Sequence, residues 1–177
     1  MNELKRELKT IEHKELIQII TELYKVNKDA KLYLTNKFKG EEAIFDLYKI
    51  TKQKVKDEFF PDRGLGKLRL SEAKNAISNF KKLTSDKQKT TDLMLYYVEL
   101  GTEFMNVYGD IDAKFYYSMA SMYSKVVTEC NKNEKLYETF KERLYLIVLA
   151  TEGIGWGFHE DIYEIYYSLA WLGEDEE

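Results

Sequence analysis

The chain has 177 residues, a length that fits one domain or two small helical lobes around a shared core. Its 44% hydrophobic and 33% charged content supplies enough apolar material for a core without disulfide or metal staples, which excludes a disordered chain. The net charge of −4 hides an asymmetry, since residues 1–92 hold 21 Lys+Arg and 15 Asp+Glu while residues 93–177 hold 6 and 16.

An excess of this size, spread over many helices, is no nucleic-acid footprint and chiefly solvates helix faces. It can also favour head-to-tail contacts or give one end affinity for an anionic partner. Cys130 is the only cysteine, so no intrachain bridge and no cysteine-based zinc site can form. Its setting, VVTEC, predicts a buried, unreactive thiol. MNELKRELKT lacks the apolar centre of a signal peptide, and no stretch approaches the roughly 18 apolar residues of a membrane span. The expected address is the cytoplasm, with no membrane.

In chain order, Leu4 and Leu8 share a face of a short first helix. A long helix over 12–26 aligns Leu16, Ile19, Ile20, Leu23 and Tyr24. A third over 29–38 ends at Gly40, and a fourth over 41–60 aligns Ile44, Tyr48, Val55 and Phe59. FFPDRGLGKLRLS, with the only proline, breaks the chain, and Ser71 is placed to cap the next helix, whose apolar positions are Ala73, Ala76, Ile77 and Phe80. Asp86 or Thr91 opens a longer helix with the stripe Met94, Tyr97, Gly101, Phe104, Met105 and Tyr108, in which Gly101 allows close helix packing.

Gly109 ends that helix, and Asp110 or Asp112 caps the next, which carries Phe115, Met119, Met122, Val126 and Cys130. After the NKNE turn, Leu136, Phe140, Leu144, Ile147 and Val148 line a helix that takes in LYLIVLA, a run that composition alone would also allow as a strand. A glycine loop follows. A last helix from about Phe158 uses Ile162, Ile165, Tyr166 and Leu169, with Gly173 stopping it and EDEE as a solvated tail.

The expectation is an all-α fold of eight or nine helices in antiparallel pairs, an irregular bundle or short solenoid-like stack. It forms a single domain over 1–177, with lobes at 1–62 and 63–173 as its natural subdivision and a tail at 174–177. No repeat of 30 to 50 residues is evident.

Two loops attract chemistry. RGLGKLR puts Arg63, Lys67 and Arg69 before a helix start, where glycines let N–H groups converge on an anion, and Lys81 and Lys82 lie downstream. It does not match the phosphate-binding pattern GxxxxGK[ST], and a basic turn between helices explains it equally. GIGWGFHE carries Gly153, Gly155, Trp156, Gly157 and His159. It fails the dinucleotide pattern, because Phe158 holds the sixth position and a helix precedes it. Gly153 reads as a helix-ending glycine, while Gly155 and Gly157 would let the chain pass Trp156 closely against the core. His159, at a helix start where a charged imidazole is disfavoured, is the one serious base candidate, and His13 reads as surface.

Glu99 and Glu103 are four apart, with Asp110 and Asp112 beyond, but no histidine follows a glutamate at metal-ligand spacing and HEDIY lacks the second histidine of a zinc motif. No metal site and no cofactor are expected. The doublets Tyr96-Tyr97, Tyr116-Tyr117 and Tyr166-Tyr167 cannot all face one core, since helix neighbours differ by about 100°. Some rings then lie at core edges, in a groove or at a partner surface.

ELKRELKTIEHKELIQIITELYKVNKDAKLYL, the FFP break with its basic loop, RLSEAKNAISNFKKL, and TDLMLYYVELG followed by YGDIDAKFYYSM resemble the DUF6155 family of small bacterial helical proteins of unknown function. The resemblance covers most of the chain, less clearly GIGWGFHE. It implies one helical domain of bacterial cytoplasmic origin and assigns no reaction. The expected function is a non-enzymatic protein-interaction or scaffold role, with a protein partner or self-association. Nucleic-acid or phosphate binding at 63–69 is the alternative, and an enzyme or ligand site at 153–159 the second alternative.

Overall fold

The computed structural model describes residues 2–172, all but the side chains of residues 36 and 39. Among the described residues there are nine α-helices and no strand: α1 (Asn2–Thr10), α2 (His13–Val26), α3 (Lys28–Lys39), α4 (Glu41–Phe59), α5 (Leu70–Thr84), α6 (Lys87–Tyr108), α7 (Ala113–Asn131), α8 (Glu134–Ala150) and α9 (Phe158–Tyr167). The run LYLIVLA is helical, as its period required. No helix among these residues is long and apolar enough to cross a membrane.

Short polar side chains set most boundaries. Asn27, Asp86, Asp112 and Asn133 each accept the N–H three residues on and so start α3, α6, α7 and α8. Ser71 does not cap α5. That helix begins one residue earlier, after Arg69, because Leu68 and Arg69 are already held to Glu58 of the preceding helix. The last helix ends at Tyr167, before Gly173. Asn131 takes the carbonyl of Ser168 and the N–H of Ala170, and the Trp171 indole donates to the carbonyl of Cys130, which pulls the chain onto the end of α7. Gly173 and the tail at 174–177 lie outside the described residues.

The chain forms two compact units, 1–46 and 47–177, with the boundary inside α4. In the first, α2 packs on α3, and no described side chain is buried. In the second, α6 packs against α5, α7 and α8, and α9 lies on α7 and α8.

Helix α6 is the axis of this unit, with buried side chains from Thr90 to Met105. The expected apolar positions of α7 and α8 are all buried. Cys130 is buried too, and loss of solvation pushes its thiol up to about 12, which keeps it protonated and inert. Phe59 of α4 meets Tyr97, Phe104 and Phe115 edge-on, with ring centroids 5.4, 6.5 and 6.3 Å away. Each tyrosine doublet divides as helix geometry demands: Tyr97, Tyr116 and Tyr166 are buried, while Tyr96 and Tyr167 lie at the core edge and Tyr117 is exposed.

Gly101 does what its place in the stripe suggested. A Cβ there would stand 2.2 Å from the sulfur of Met119 on α7, a fully buried side chain. Gly101→Ala is therefore expected to cost roughly 1–3 kcal/mol, more than the gain of about 1 kcal/mol in helix propensity. In a Met119→Ala background the same substitution is expected to be neutral or stabilising. Urea unfolding of the four proteins of this cycle checks both outcomes.

Candidate functional site

The basic loop folds back onto the end of α4. Gly66 sits so close that a Cβ would lie 2.1 Å from the carbonyl oxygen of Phe59, and Gly64 and Leu68 take positive φ to make the turn. Leu68 N–H donates to the Glu58 carbonyl at 2.8 Å. The Glu58 carboxylate, 6% exposed as a residue, receives the backbone N–H, Nε and NH2 of Arg69 at 3.2, 3.1 and 2.7 Å. The guanidinium is thus a bidentate clamp on a buried carboxylate. Arg63 and Lys67 remain exposed. The cavity beside Arg69 is lined by Asp57, Glu58 and Glu72 among others, a carboxylate-rich surface that contains none of the glycine-loop residues.

The glycine loop joins a different partner. The Trp156 indole donates to Asp110 at 3.3 Å, and the Tyr116 hydroxyl donates to the other oxygen of the same carboxylate at 2.5 Å. Burial, with help from Asp110, pushes the Tyr116 hydroxyl up to about 12. Trp156 does not lie against the core. It is 83% exposed, with φ of 63°, and the ring that packs inward is Phe158, against Tyr116. Gly153 and Gly157 provide the positive φ that the turn needs on either side, while Gly155 does not take positive φ.

His159 is half-buried, and its Nδ1 lies 3.0 Å from the Thr151 hydroxyl. That hydroxyl donates its single hydrogen to the Val148 carbonyl at 2.7 Å, so it accepts from Nδ1–H and leaves the lone pair on Nε2. The imidazole has the tautomer a base requires. Its described neighbours are Thr151 and the ring of Tyr163, and neither contact activates a nucleophile. Of the carboxylates weighed as metal ligands, Glu99 is bonded to Arg143, Asp110 to Tyr116 and Trp156, and Asp112 to the start of α7.

The densest polar cluster lies elsewhere, around Arg143 of α8. Its Nε and NH2 engage both oxygens of Glu99 at 2.7 and 2.8 Å, and its NH1 donates to Asp92. Tyr48 of α4 donates to the same Asp92, and Lys52 donates to the Tyr48 oxygen at 3.2 Å with its ammonium 4.5 Å from the Tyr96 ring centroid. Burial opposes the charge on Arg143, but the two carboxylates outweigh it and hold the guanidinium more firmly protonated than usual. Burial and the Asp92 carboxylate push the Tyr48 hydroxyl far above its ordinary range.

Sequence reasoning missed this cluster, since Asp92 and Glu99 lie 51 and 44 residues from Arg143. One signal was present: Arg143 stands beside Leu144 in the apolar stripe of α8, in the half of the chain with only 6 basic residues.

Arg143 also forms the wall between two openings. On one side, about 410 Å3 is bounded by Tyr48, Asp92 and Phe140. On the other, a groove of about 440 Å3 runs between α6 and α8, lined by Thr102, Glu103, Asn106, Val107, Arg143 and Leu146 among others. Asn106 donates to the Ala150 carbonyl at 2.9 Å, which together with the Glu99–Arg143 pair sets α6 and α8 parallel. Val107 and Leu146 are each 59% exposed, and Glu103 forms no ion pair among the described residues. Thr102 is 2% exposed, and its hydroxyl is the one buried side-chain polar atom among the described residues without a partner.

Two outcomes follow. Hydrogen bonds from Arg69 hold the Glu58 carboxyl below the usual carboxylate range, so the clamp stabilises the fold above the unfolded value of about 4.3 and its contribution is lost as pH falls through the lower folded value. The denaturation midpoint of Glu58→Gln is expected to lie below that of the parent at pH 7 and to converge with it towards pH 3. Arg143→Met leaves two half-buried carboxylates without their shared cation and is expected to cost roughly 2–3 kcal/mol in urea unfolding. Arg143→Lys is expected not to restore it, since an ammonium cannot span both carboxylates.

Comparison with curated proteins finds no match, and comparison with solved structures finds none either. The model of one family, described as a family of unknown function, DUF6155, matches residues 1–169. A match over that length spans every helix from α1 to α9, and the chain belongs to the DUF6155 family.

Proposed function

We propose that this is a non-catalytic, protein-binding helical module of the bacterial cytoplasm, which takes an amphipathic segment of a partner into the α6–α8 groove. The observation that carries this reading is the composition of the groove. Exposed Val107 and Leu146 form an apolar wall beside the unpaired carboxylate of Glu103. An apolar partner side chain flanked by Lys or Arg satisfies both features. A catalytic reading has less support, because His159 neighbours no activated nucleophile. Phosphate binding at the basic loop has less support too, because Glu58 occupies the Arg69 guanidinium.

The test uses a fluorescent amphipathic Leu/Lys helix of about 14 residues, four turns, as the probe, with a Leu/Glu helix as control. Fluorescence anisotropy is expected to show binding of the basic probe alone, weakened tenfold or more by Leu146→Asp or Glu103→Lys. Both positions are exposed, so circular dichroism should remain unchanged. Equal binding of both probes, or binding indifferent to the two substitutions, would discard the groove as the site.

A further inference from the structure

Trp156 is the most exposed large apolar side chain among the described residues, at 83%, and it holds a φ of 63° that a bulky residue adopts only under strain. Gly153 and Gly157 take positive φ in the same turn without that penalty. The core has no need of the indole, because Phe158 fills the inner position. The fold thus carries a strained backbone and a wetted ring, and gains from them one exposed hydrogen bond, from the indole N–H to Asp110 at 3.3 Å. Local rules broken without return to the fold mark functional positions.

The carboxylate at the other end of this bond points the same way. Asp110 accepts from the Tyr116 hydroxyl and the Trp156 indole, both neutral donors, and no Lys or Arg pairs with it among the described residues. Its charge therefore stays uncompensated, in the half of the chain with 6 basic and 16 acidic residues. The indole N–H lies in the ring plane, so the carboxylate stands at the edge of the ring and leaves its faces to solvent. A π face beside an uncompensated carboxylate recognises a cation, the ring through its quadrupole and the carboxylate through its charge. A guanidinium suits both, since it stacks flat on an indole while its N–H groups reach sideways to the remaining lone pairs of the Asp110 oxygens. A phosphate of nucleic acid or lipid would instead meet Asp110 as a like charge.

We propose that Trp156 and Asp110 form a docking site for an arginine side chain of a partner protein. The proposal deepens the groove reading and rests on it for the course of the rest of the segment: Asp110 follows the groove-lining Val107 by three residues, and Trp156 follows Ala150 by six. An arginine at one end of the bound segment lies over the indole, while its apolar residues lie along Val107 and Leu146.

The test uses the full chain carrying Trp171→Phe, in which Trp156 is the sole tryptophan. Hexa-arginine, titrated in about 0.15 M salt to screen diffuse attraction, is expected to change Trp156 emission saturably. Hexacitrulline, its neutral isostere, is expected to leave the emission unchanged. Asp110→Asn keeps an acceptor for the indole and removes the charge, and is expected to weaken binding of hexa-arginine at least tenfold. Leu146→Asp is expected not to weaken it, so loss of the groove reading leaves this result standing. With labelled hexa-arginine and anisotropy as the readout, Trp156→Gly is expected to lose tenfold or more in affinity. Its urea midpoint should be no lower than the parent's, because glycine adopts this φ without strain. An emission indifferent to hexa-arginine, an equal response to hexacitrulline, or undiminished binding to Asp110→Asn overturns the proposal. So does a Trp156→Gly variant that binds as the parent does and unfolds at lower urea, since the ring would then serve the fold.

Discussion

Burial of α6 around most of its circumference is the constraint from which the second unit follows. A helix packed on one side can turn its polar residues to water. Helix α6 has α5, α7 and α8 against it, and Phe59 of α4 reaches two of its rings. Its polar side chains must find partners on neighbouring helices. Tyr97 bonds the Ser118 hydroxyl at 2.8 Å, and burial pushes its own hydroxyl up to about 12. Asp92 and Glu99 share Arg143. Thr102 finds no partner for its hydroxyl among the described residues. The same demand for proximity explains Gly101, where a side chain would hold α7 away.

Both glycine-rich loops serve the helices they connect. Each uses positive φ to turn the chain sharply, and each carries a polar tether: Arg69 to Glu58 of the preceding helix in one, Trp156 to the sequence-distant Asp110 in the other. Their resemblance to ligand loops comes from shared geometry. A backbone that bends tightly enough to surround a phosphate also bends tightly enough to close over a helix end.

Helices were readable where one face is apolar and the caps are Asn or Asp. Of the caps the sequence offered, Asp86 rather than Thr91 starts α6 and Asp112 rather than Asp110 starts α7, and the stripes of α7 and α8 appear in the core position by position. Three features were not readable in this way. Ser71 has the chemistry of a cap, yet the Glu58 clamp starts α5 before it. Trp156 looked like a core residue because large apolar rings usually are, whereas its indole N–H is drawn outward by Asp110 and Phe158 takes the inner position. Arg143 depends on two carboxylates on another helix, and nothing local in the sequence encodes a pairing over 44 or 51 residues. The stripe of α2 was correctly periodic, but periodicity identifies an apolar face without naming what covers it.

The parallel course of α6 and α8 has an electrostatic consequence. Both helices end at the same mouth of the groove, at Tyr108 and Ala150, and neither has a basic residue in its last turn. Each C-terminus carries roughly half a negative charge from its aligned peptide dipoles, so two such ends stand side by side. Backbone charge of this kind cannot be removed by substituting Glu103, and it acts over a distance set by the ionic strength, about 8 Å in physiological salt. Its effect falls on the encounter: a cationic segment is drawn in and oriented before any side chain touches, so the rate of capture depends on salt more steeply than the lifetime of what is captured.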